Sequence, residues 1–530
     1  MKLTKIKLTA ALVIPLLAIL LLASPVLCED VNVSYKIVSF YEDVTWDDIL
    51  AFAEHWQAAG ITVVEELPMF NTLVLKVPHG VSSRVLADDP RVEAVEDDHK
   101  TISPPRVKGQ SDSFIQPVQR PPWGHYPWGI LRLYDQPFDP EKLTATYRTD
   151  WLPKEIKAAL NRMRYRKVRI AVFDTGVQYY HDSLYWSTKG GIDLVNEPDR
   201  RQRLRYLNYR RPVDDNGHGT YVAGIISAAL DRWGNWGQCG TPVDLYAVKI
   251  LDHQAMGDLS SIIMALHWSI NKQIDIVNMS IGFRQDSPSV RRAVKKAGEL
   301  GIVMVAAVGN RSNWDDNIIL SADGGAADGG AADGGAADGG AADGGAADGG
   351  AADGGAADGG AADGGAADGG AADGGAADGN GDSLVPFSVM YPARYPEVIG
   401  VGAVTPFGDM AHYNNTGLEV DILAPGSGII SADVTNGDKY SGYGVCSGTS
   451  QAAAHVTAAI ALMLATDASL TPDEVKQILV NTSRPTDELG PGEIDLTAAL
   501  KQIREEMGYL NRHRRWNNFW YWGWLRFFRR

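Results

Sequence analysis

The sequence predicts an α/β fold in which helices cover both faces of a parallel sheet, preceded by a smaller α+β domain. Between residues 168 and 310, short runs of β-branched residues alternate with helical segments. That alternation is typical of parallel sheets buried on both faces. A glycine-punctuated turn at 442–448 leads into an apolar helix predicted at 456–465. At 530 residues the chain is too long for one compact core, so two or three domains are expected.

The first 28 residues have the pattern of a secretory leader. Lysines at positions 2, 5 and 7 precede an apolar run from Leu8 to Ala23, and small residues follow. The run is short for a membrane span, and an uncleaved anchor is the alternative. Segment 1–28 therefore predicts a secreted protein, extracellular or associated with the cell surface, and is excluded from the predicted fold.

Residues 32–99 predict a compact domain with β-α-β-β-α-β order. Val33–Phe40 alternates as a strand does, and 46–59 has helical spacing that ends at Gly60. The remaining elements are strands at 61–66 and 73–77, a helix at 81–88 and a strand at 92–95. This order is the ferredoxin-like pattern. The following residues, 100–127, are rich in Pro, Gln and Ser and predict a linker.

The main domain is predicted at 128–508. Its predicted strands are 168–174, 243–251, 274–280 and 302–308, and its predicted helices are 221–230, 260–272, 287–300, 471–480 and 496–506. Functional groups in such sheets gather at the carboxyl ends of the strands. Asp174 and Asn310 both follow predicted strands and are therefore expected at that edge.

One segment of the main domain is a low-complexity repeat. Residues 322–376 are eleven tandem copies of Ala-Asp-Gly-Gly-Ala. We predict that the insert 322–379 is disordered, because it has almost no apolar surface to bury. A calcium-binding array is the alternative, but a five-residue period matches neither the EF-hand loop nor the nine-residue repeat of calcium-binding β-helices. The formal charge of −16 falls to −4 without the twelve repeat aspartates, so no nucleic-acid-binding surface is expected.

Three polar residues predict nucleophilic catalysis. Asp174 ends an apolar strand, His218 lies between glycines just before an apolar helix, and Ser450 lies at the turn before 456–465. A serine becomes a nucleophile when a base takes its proton, and the base needs an acid to fix its tautomer. Alone, Ser450 or Thr449 would be interpreted as a helix cap. The order Asp, His, Ser is the one found in subtilisin.

With these residues identified, the chain resembles the subtilisin-like serine proteases, or subtilases, over about residues 125–505 apart from the repeat. Further similar segments are 245–251, 305–310 and 391–404. The resemblance implies that Ser450 attacks the peptide carbonyl, His218 transfers the proton and Asp174 orients the imidazole. It also implies that the Asn310 side chain and the backbone N–H of Ser450 stabilise the oxyanion.

The resemblance further implies a pocket for the side chain that precedes the cut. Its walls correspond to Ser280, Ile281, Gly282, Ala307, Val308 and Gly309, and its base to Met390. A methionine at the base predicts a shallow apolar pocket that favours Ala or Leu over Phe or Tyr. Residues 32–99 resemble an inhibitory propeptide, and we expect the activating cut within 100–127. The expected partners are protein and peptide substrates and the chain's own propeptide.

Four residues depart from the subtilase pattern. They are Tyr221 in place of a second histidine, Gln451 in place of methionine, Ala454 in place of proline, and Ser183 in place of a calcium-binding aspartate. The predicted chemistry requires no cofactor. A structural calcium ion is compatible with the family, but Ser183 predicts that the tightest calcium site is weak or missing, with Asp231 able to supply part of it. His181 and His455 match positions that are structural in the family.

The segment 509–530 is unusual in composition. From residue 511 onwards it contains six arginines, eight aromatic residues and no acid. A helix would align Trp516, Trp520, Trp524 and Phe528 on one face, and Trp with Arg is typical of a membrane surface. A tail that packs on the main domain, or is disordered, fits equally well. With Cys28 in the leader, Cys239 and Cys446 could form at most one bridge.

Together these patterns predict a secreted, self-processed serine endopeptidase. A catalytically silent binding protein with the same fold is an alternative from another class, and a processing protease with narrow specificity is a second alternative. The presence of Asp174, His218, Ser450 and Asn310 favours an active enzyme.

Overall fold

A computed structural model describes residues 33–98, 100–102, 116–118, 125–142, 144–146, 150, 152–163, 165, 167–195, 212–231, 243–310, 388–434, 441–486 and 490–507. The predicted leader, most of the linker, the repeat insert, the C-terminal tail and Cys239 lie outside these residues. Within the described part of the chain, no helix is long and apolar enough to cross a membrane.

The N-terminal module, residues 33–98, is a four-stranded antiparallel sheet with two helices. Its elements are β1 Val33–Phe40, α1 Trp46–Gln57, β2 Thr62–Leu67, a 3₁₀ turn Pro68–Phe70, β3 Thr72–Pro78, α2 Ser83–Ala87 and β4 Val92–Asp97. The sheet order β2-β3-β1-β4 is ferredoxin-like, which confirms the predicted order of elements. Thr45 caps α1 by accepting the Asp48 N–H, and Phe40 and Phe52 are fully buried in the core of the module.

The main domain is built on short strands with a parallel sheet at its centre. Its strands are β5 Lys100–Ile102, β6 Gln116–Val118, β7 His125–Pro127, β8 Thr144–Thr146, β9 Val168–Asp174, β10 Thr188–Asp193, β11 Val243–Lys249, β12 Met256–Asp258, β13 Ile276–Met279, β14 Val303–Ala307, β15 Val398–Val404, β16 Ile422–Pro425, β17 Ile429–Ala432 and β18 Tyr443–Cys446. Seven strands form the parallel sheet in the order β10-β11-β9-β13-β14-β15-β16.

Helices cover both faces of this sheet. They are α3 Trp128–Leu133, α4 Lys154–Arg162, α5 His218–Ala229, α6 Leu259–Asn271, α7 Pro288–Glu299, α8 Thr449–Thr466, α9 Pro472–Asn481 and α10 at 496–507. Alternate residues of β9 point to opposite faces. Ile170 and Val172 join the apolar core that contains α5 and α8, whereas Ala171 and Phe173 join the core that contains α6 and α7. The predicted architecture is therefore confirmed.

Two boundaries differ from the prediction in ways that matter for the site. Helix α8 begins at Thr449, well before residue 456, and Gly448 is its N-cap residue without a side-chain capping bond. Ser450 is therefore inside the first turn, and the interpretation of Ser450 or Thr449 as the cap is wrong. Helix α5 begins at His218 itself, because the N–H groups of its first turn find acceptors outside the helix.

The predicted linker 100–127 also contains structure. Strand β5 pairs with β12, and β6 pairs with β18. Tyr126 in β7 is fully buried, and its hydroxyl donates to the carbonyl of Asp231 at 2.7 Å. The core of the main domain therefore begins before residue 128.

Candidate active site

Asp174 and His218 form a buried pair at the carboxyl edge of the sheet. Asp174 is the last residue of β9 and is fully buried, and His218 is the first residue of α5. The His218 Nδ1 atom lies 2.8 and 2.9 Å from the two carboxylate oxygens of Asp174. Since a carboxylate only accepts hydrogen bonds, the imidazole carries a proton on Nδ1. In the neutral ring, Nε2 is then the basic nitrogen.

The turns that carry these two residues approach each other as closely as glycine allows. A Cβ atom at Gly219 would lie 2.2 Å from the carbonyl oxygen of Gly176. Gly217, just before His218, has a positive φ of 103°, which L side chains rarely adopt. The glycines beside His218, which the sequence displays as a motif, are thus required by backbone geometry.

Ser450 lies in the first turn of α8, where the positive end of the helix dipole is located. Its side chain is largely buried, and its carbonyl accepts a hydrogen bond from the Ser280 hydroxyl at 3.4 Å. Helix α8 packs against α5, the helix that begins with His218. The helices that carry Ser450 and His218 are therefore packed against each other.

Asn310 connects the end of the sheet to the turn before Ser450. Its Oδ1 atom accepts from the Thr449 backbone N–H at 2.9 Å and from the Thr449 hydroxyl at 3.0 Å. These two donors fix the amide orientation, so the Nδ2 atom is directed elsewhere. A Cβ atom at Gly448 would lie 3.2 Å from Nδ2, so this amide donor faces the turn that leads to Ser450.

The segments predicted to wall the pocket meet at Met390. A Cβ atom at Gly282 would lie 2.8 Å from the Met390 Cε, and one at Gly309 would lie 2.8 Å from its sulfur. The Met390 N–H donates to the Val308 carbonyl at 3.0 Å, and the side chain is buried. Residues Ser280, Ile281, Ala307 and Val308 are all buried beside these glycines in sequence. Met390 therefore occupies the space between the two glycine segments.

Of three departures from the family pattern, Tyr221 has a structural explanation. The Tyr221 hydroxyl donates to the carbonyls of Gly444 and Ile429, which joins α5 to β17 and β18. Burial holds the pKa of Tyr221 well above its usual value. Gln451 and Ala454 are buried within α8, and the structure gives no further explanation for either residue.

Ser183, the fourth departure, makes a polar contact with another side chain of the main domain. The Ser183 hydroxyl lies 2.8 Å from the Tyr443 hydroxyl and supplies no carboxylate. Over the residues that the structure describes, no group of three or more His, Cys, Asp or Glu side chains could hold a metal ion. A structural calcium ion stays a prediction, and no chemical step involves one.

Sequence reasoning missed two buried charged residues beside the Asp174–His218 pair. The Asp214 carboxylate accepts hydrogen bonds from both turns of the pair, and Lys249 donates to the Thr175 carbonyl at 2.7 Å. The signals available were the acid pair Asp214-Asp215 before the histidine and a lysine at the end of the apolar strand β11.

Comparisons with known proteins identify the family to which the chain is similar. The family model described as "Subtilase family" matches residues 165–339 and 372–507. The minor extracellular protease Epr of Bacillus subtilis is 31% identical over 312 residues, which cover 59% of this chain but only 34% of Epr. The thermostable alkaline protease of Halalkalibacterium halodurans is 25% identical over 474 residues, 89% of this chain and 92% of that protein.

A solved structure shares the fold. Fervidolysin from Fervidobacterium pennivorans, described as a keratinolytic enzyme related to subtilisin, superposes with a TM-score of 0.56 and 18% identity. The superposition covers 89% of this chain and 62% of fervidolysin. With a family model that matches more than half of its residues, and with this sheet and these helices, the chain belongs to the subtilase family of serine endopeptidases.

Proposed function

We propose that the chain hydrolyses internal peptide bonds with Asp174, His218 and Ser450 as a catalytic triad and Asn310 as an oxyanion donor. The observation that carries this proposal is the pair of contacts, 2.8 and 2.9 Å, between the His218 Nδ1 and the Asp174 carboxylate. It is supported by the amide of Asn310, which is fixed against the turn of Ser450.

In the proposed mechanism, the Ser450 Oγ attacks the carbonyl carbon of the scissile peptide while the His218 Nε2 takes its proton. Asp174 stabilises the imidazolium that forms. The tetrahedral oxyanion accepts hydrogen bonds from the Asn310 Nδ2 and the backbone N–H of Ser450. His218 then donates the proton to the leaving amine, and a water molecule hydrolyses the acyl-enzyme by the same steps in reverse.

The test compares wild type with Ser450→Ala on casein and on a peptide amide. Wild-type hydrolysis should be blocked by an organofluorophosphate that reacts with activated serines, and Ser450→Ala should be inactive. Ser469→Ala, an exposed serine after α8, is the matched control and should retain full activity. Hydrolysis that survives in purified Ser450→Ala would contradict the proposal.

The N-terminal module is proposed as an intramolecular inhibitor that is removed by self-processing. Its carboxylates meet the N-termini of two helices of the main domain, where anions are favoured. Glu96 accepts from the Ser289 N–H at 2.9 Å at the start of α7, and Asp98 accepts from the Ser260 N–H at 2.9 Å at the start of α6. Arg292 of α7 donates to the Phe40 carbonyl at 2.8 Å.

The strands on either side of residues 103–115 support a position for the activating cut. Strand β5 adds to β12 just after the module, and β6 adds to β18, which runs into the turn before Ser450. Addition of an extended segment to a strand edge is a recurring way in which proteins bind peptides. We propose that the cut falls within 103–115.

N-terminal sequencing of the purified protein tests this part of the proposal. Wild type should begin between residues 104 and 116, whereas Ser450→Ala should keep the module and be cut at that position when wild type is added. A Ser450→Ala protein that matures in a protease-free preparation would assign the cut to another enzyme. Export is proposed on the leader pattern of 1–28 and on the name of Epr as an extracellular protease.

A further inference from the structure

Asp214 is a buried carboxylate outside the proposed triad, and five donors converge on it. Its Oδ1 accepts from the Thr175 hydroxyl at 2.8 Å, the Asn216 N–H at 3.0 Å and the Gly217 N–H at 2.8 Å. Its Oδ2 accepts from the Thr220 N–H at 2.8 Å and the Thr220 hydroxyl at 2.6 Å. Only 7% of the residue is exposed, so these five bonds replace most of the hydration of the carboxylate.

These donors belong to the two turns that carry the acid and the histidine. Thr175 directly follows Asp174, and its backbone N–H donates to the Asp174 Oδ1 at 2.7 Å. The Thr175 hydroxyl, while donating to Asp214, accepts from the Gly219 N–H at 3.0 Å. Asp214 and Thr175 therefore form a bridge from the Asp174 carboxylate to both sides of His218.

The same bridge completes the first turn of α5. Gly217 is the N-cap residue and has no side chain to accept from the turn. The N–H of His218 donates to the Asn216 Oδ1 at 3.2 Å, that of Gly219 to Thr175, and that of Thr220 to Asp214. Such N–H groups lack partners within the helix. Asp214 thus fixes the helix end from which the His218 side chain projects.

Lys249 secures the opposite side of the acid turn. It is fully buried, and its Nζ donates to the carbonyls of Thr175 at 2.7 Å and Leu251 at 2.9 Å and to the Asp215 carboxylate at 2.6 Å. Thr175 is therefore held through its N–H, hydroxyl and carbonyl at once. Movement of the acid turn relative to the histidine turn would break several of these bonds together.

We propose that Asp214 is a positioning residue that holds the His218 imidazole in register with Asp174, an inference that rests on the proposed triad. It touches neither the substrate nor the reacting atoms. This role requires a carboxylate, because a carboxylate accepts hydrogen bonds at both of its oxygen atoms and donates none. In Asp214→Asn, an amide NH2 group replaces one carboxylate oxygen, and this group cannot accept hydrogen bonds. The donors that face it lose their acceptor, so the two turns separate.

The test measures kcat and KM for Asp214→Asn on a peptide amide. The variants are full-length chains matured in trans by tagged wild type, which is then removed. A displacement of about 1 Å in a catalytic group lowers the rate by about 10²-fold. We expect a loss in kcat of about that size, and KM within about threefold of wild type, because Asp214 contacts none of the pocket residues.

The matched control is Asp421→Asn. Asp421 is also a largely buried carboxylate that accepts a backbone N–H, that of Gly400 at 2.8 Å, and it pairs with Lys476 at 2.9 Å. It should lower the melting temperature and leave kcat unchanged. In the inactive Ser450→Ala background, the proton NMR signal of the His218 Nδ1–H should shift or broaden with Asp214→Asn but not with Asp421→Asn.

Wild-type kcat in folded Asp214→Asn would overturn the inference. If Asp214→Asn does not fold, Thr175→Val decides, since it removes only the hydroxyl that joins the two turns. A loss in kcat of about tenfold supports the inference, and an unchanged kcat overturns it. Failure of the proposed triad would appear differently, as wild-type activity that survives Ser450→Ala.

Discussion

The two halves of the candidate site are held by different forces. In the acid–histidine half, the turns of Asp174 and His218 are joined by hydrogen bonds to buried charged groups, Asp214 and Lys249. In the nucleophile half, Ser450 lies on α8, whose 18 residues are all buried and mostly apolar. The orientation of His218 therefore depends on polar contacts, which are directional. The position of Ser450 depends on helix packing, which is not directional.

The largest effect is expected in the acid–histidine half, from Asp174→Asn. An amide facing His218 favours the wrong tautomer, and the corresponding change in a serine protease lowers kcat by about 10⁴-fold. The measurement is kcat on a peptide amide after maturation in trans. Asp244→Asn, at the start of the adjacent strand β11, is the control and should keep kcat. An Asp174→Asn enzyme with a tenth of wild-type kcat would show that the carboxylate is not the orienting group.

In the nucleophile half, Asn310→Ala should have a smaller effect. Removing one oxyanion donor lowers kcat by about 10²- to 10³-fold, the range found in subtilisin, with KM nearly unchanged. Thr449→Val is the control for helix placement, because it removes the hydroxyl bonded to the Asn310 Oδ1 and leaves the amide donor in place. An equal loss in both variants would mean that Asn310 acts by holding α8.

The sequence predicted the elements of the fold unequally well. Strand β1 has the predicted ends, Val33 and Phe40, because alternation in a two-faced sheet is a local pattern. The start of α8 was predicted too late. Residues 449–455 include Thr, Ser, Gln and His, which are not typical of an apolar helix, and burial against the sheet extends the helix over them.

Asp174, His218 and Ser450 were identifiable because each stands in a glycine-containing motif. Asp214 was not, because its role depends on backbone N–H groups that converge only after folding. Backbone donors are the same for every residue type, so no sequence pattern records them. The nucleophile half, which depends on packing, was predictable from its apolar segment. In the acid–histidine half, only the candidate residues were predictable, and not the hydrogen bonds that hold them.

The next prediction concerns stability in the nucleophile half. His455 is fully buried in α8, its Nδ1 lies 2.8 Å from the Gln451 carbonyl, and burial lowers its pKa to about 4. Because this pKa lies below the unfolded value of about 6.5, the unfolded state binds more protons between these pH values. The stabilisation is complete above pH 6.5 and is lost as pH falls, by about 3 kcal/mol at pH 4.

Urea unfolding at pH 7 and pH 4 measures this loss, with Ser450→Ala chains to prevent self-digestion. His455→Asn in the same background removes the titrating group, so its own loss between the two pH values should be smaller by about 3 kcal/mol. The cavity left by the smaller side chain lowers stability at both pH values, so its contribution cancels when the two losses are compared. Equal losses in both chains would show that the His455 imidazole does not titrate in this range.

The smallest effect is expected at the pocket, where the nucleophile half meets the substrate. Met390 is buried between Gly282 and Gly309, and it fills space that a substrate side chain could otherwise enter. Met390→Gly should open that space and move the preference from Ala or Leu towards Phe. Pocket changes of this kind are worth about 1–3 kcal/mol, or about 10- to 200-fold in kcat/KM.

The measurement is kcat/KM on peptides that differ only in the residue before the cut. The control is Met410→Ala, because Met410 is a partly buried methionine against the other face of the sheet. Met264→Gly would not serve, since a glycine there would destabilise α6. Met410→Ala should leave the Leu-to-Phe ratio unchanged. A wild type that already prefers Phe, with no change in Met390→Gly, would mean that substrate binds away from Met390. The assignments of Asp174, His218, Ser450 and Asn310 would still stand, because none of them depends on where the substrate side chain lies.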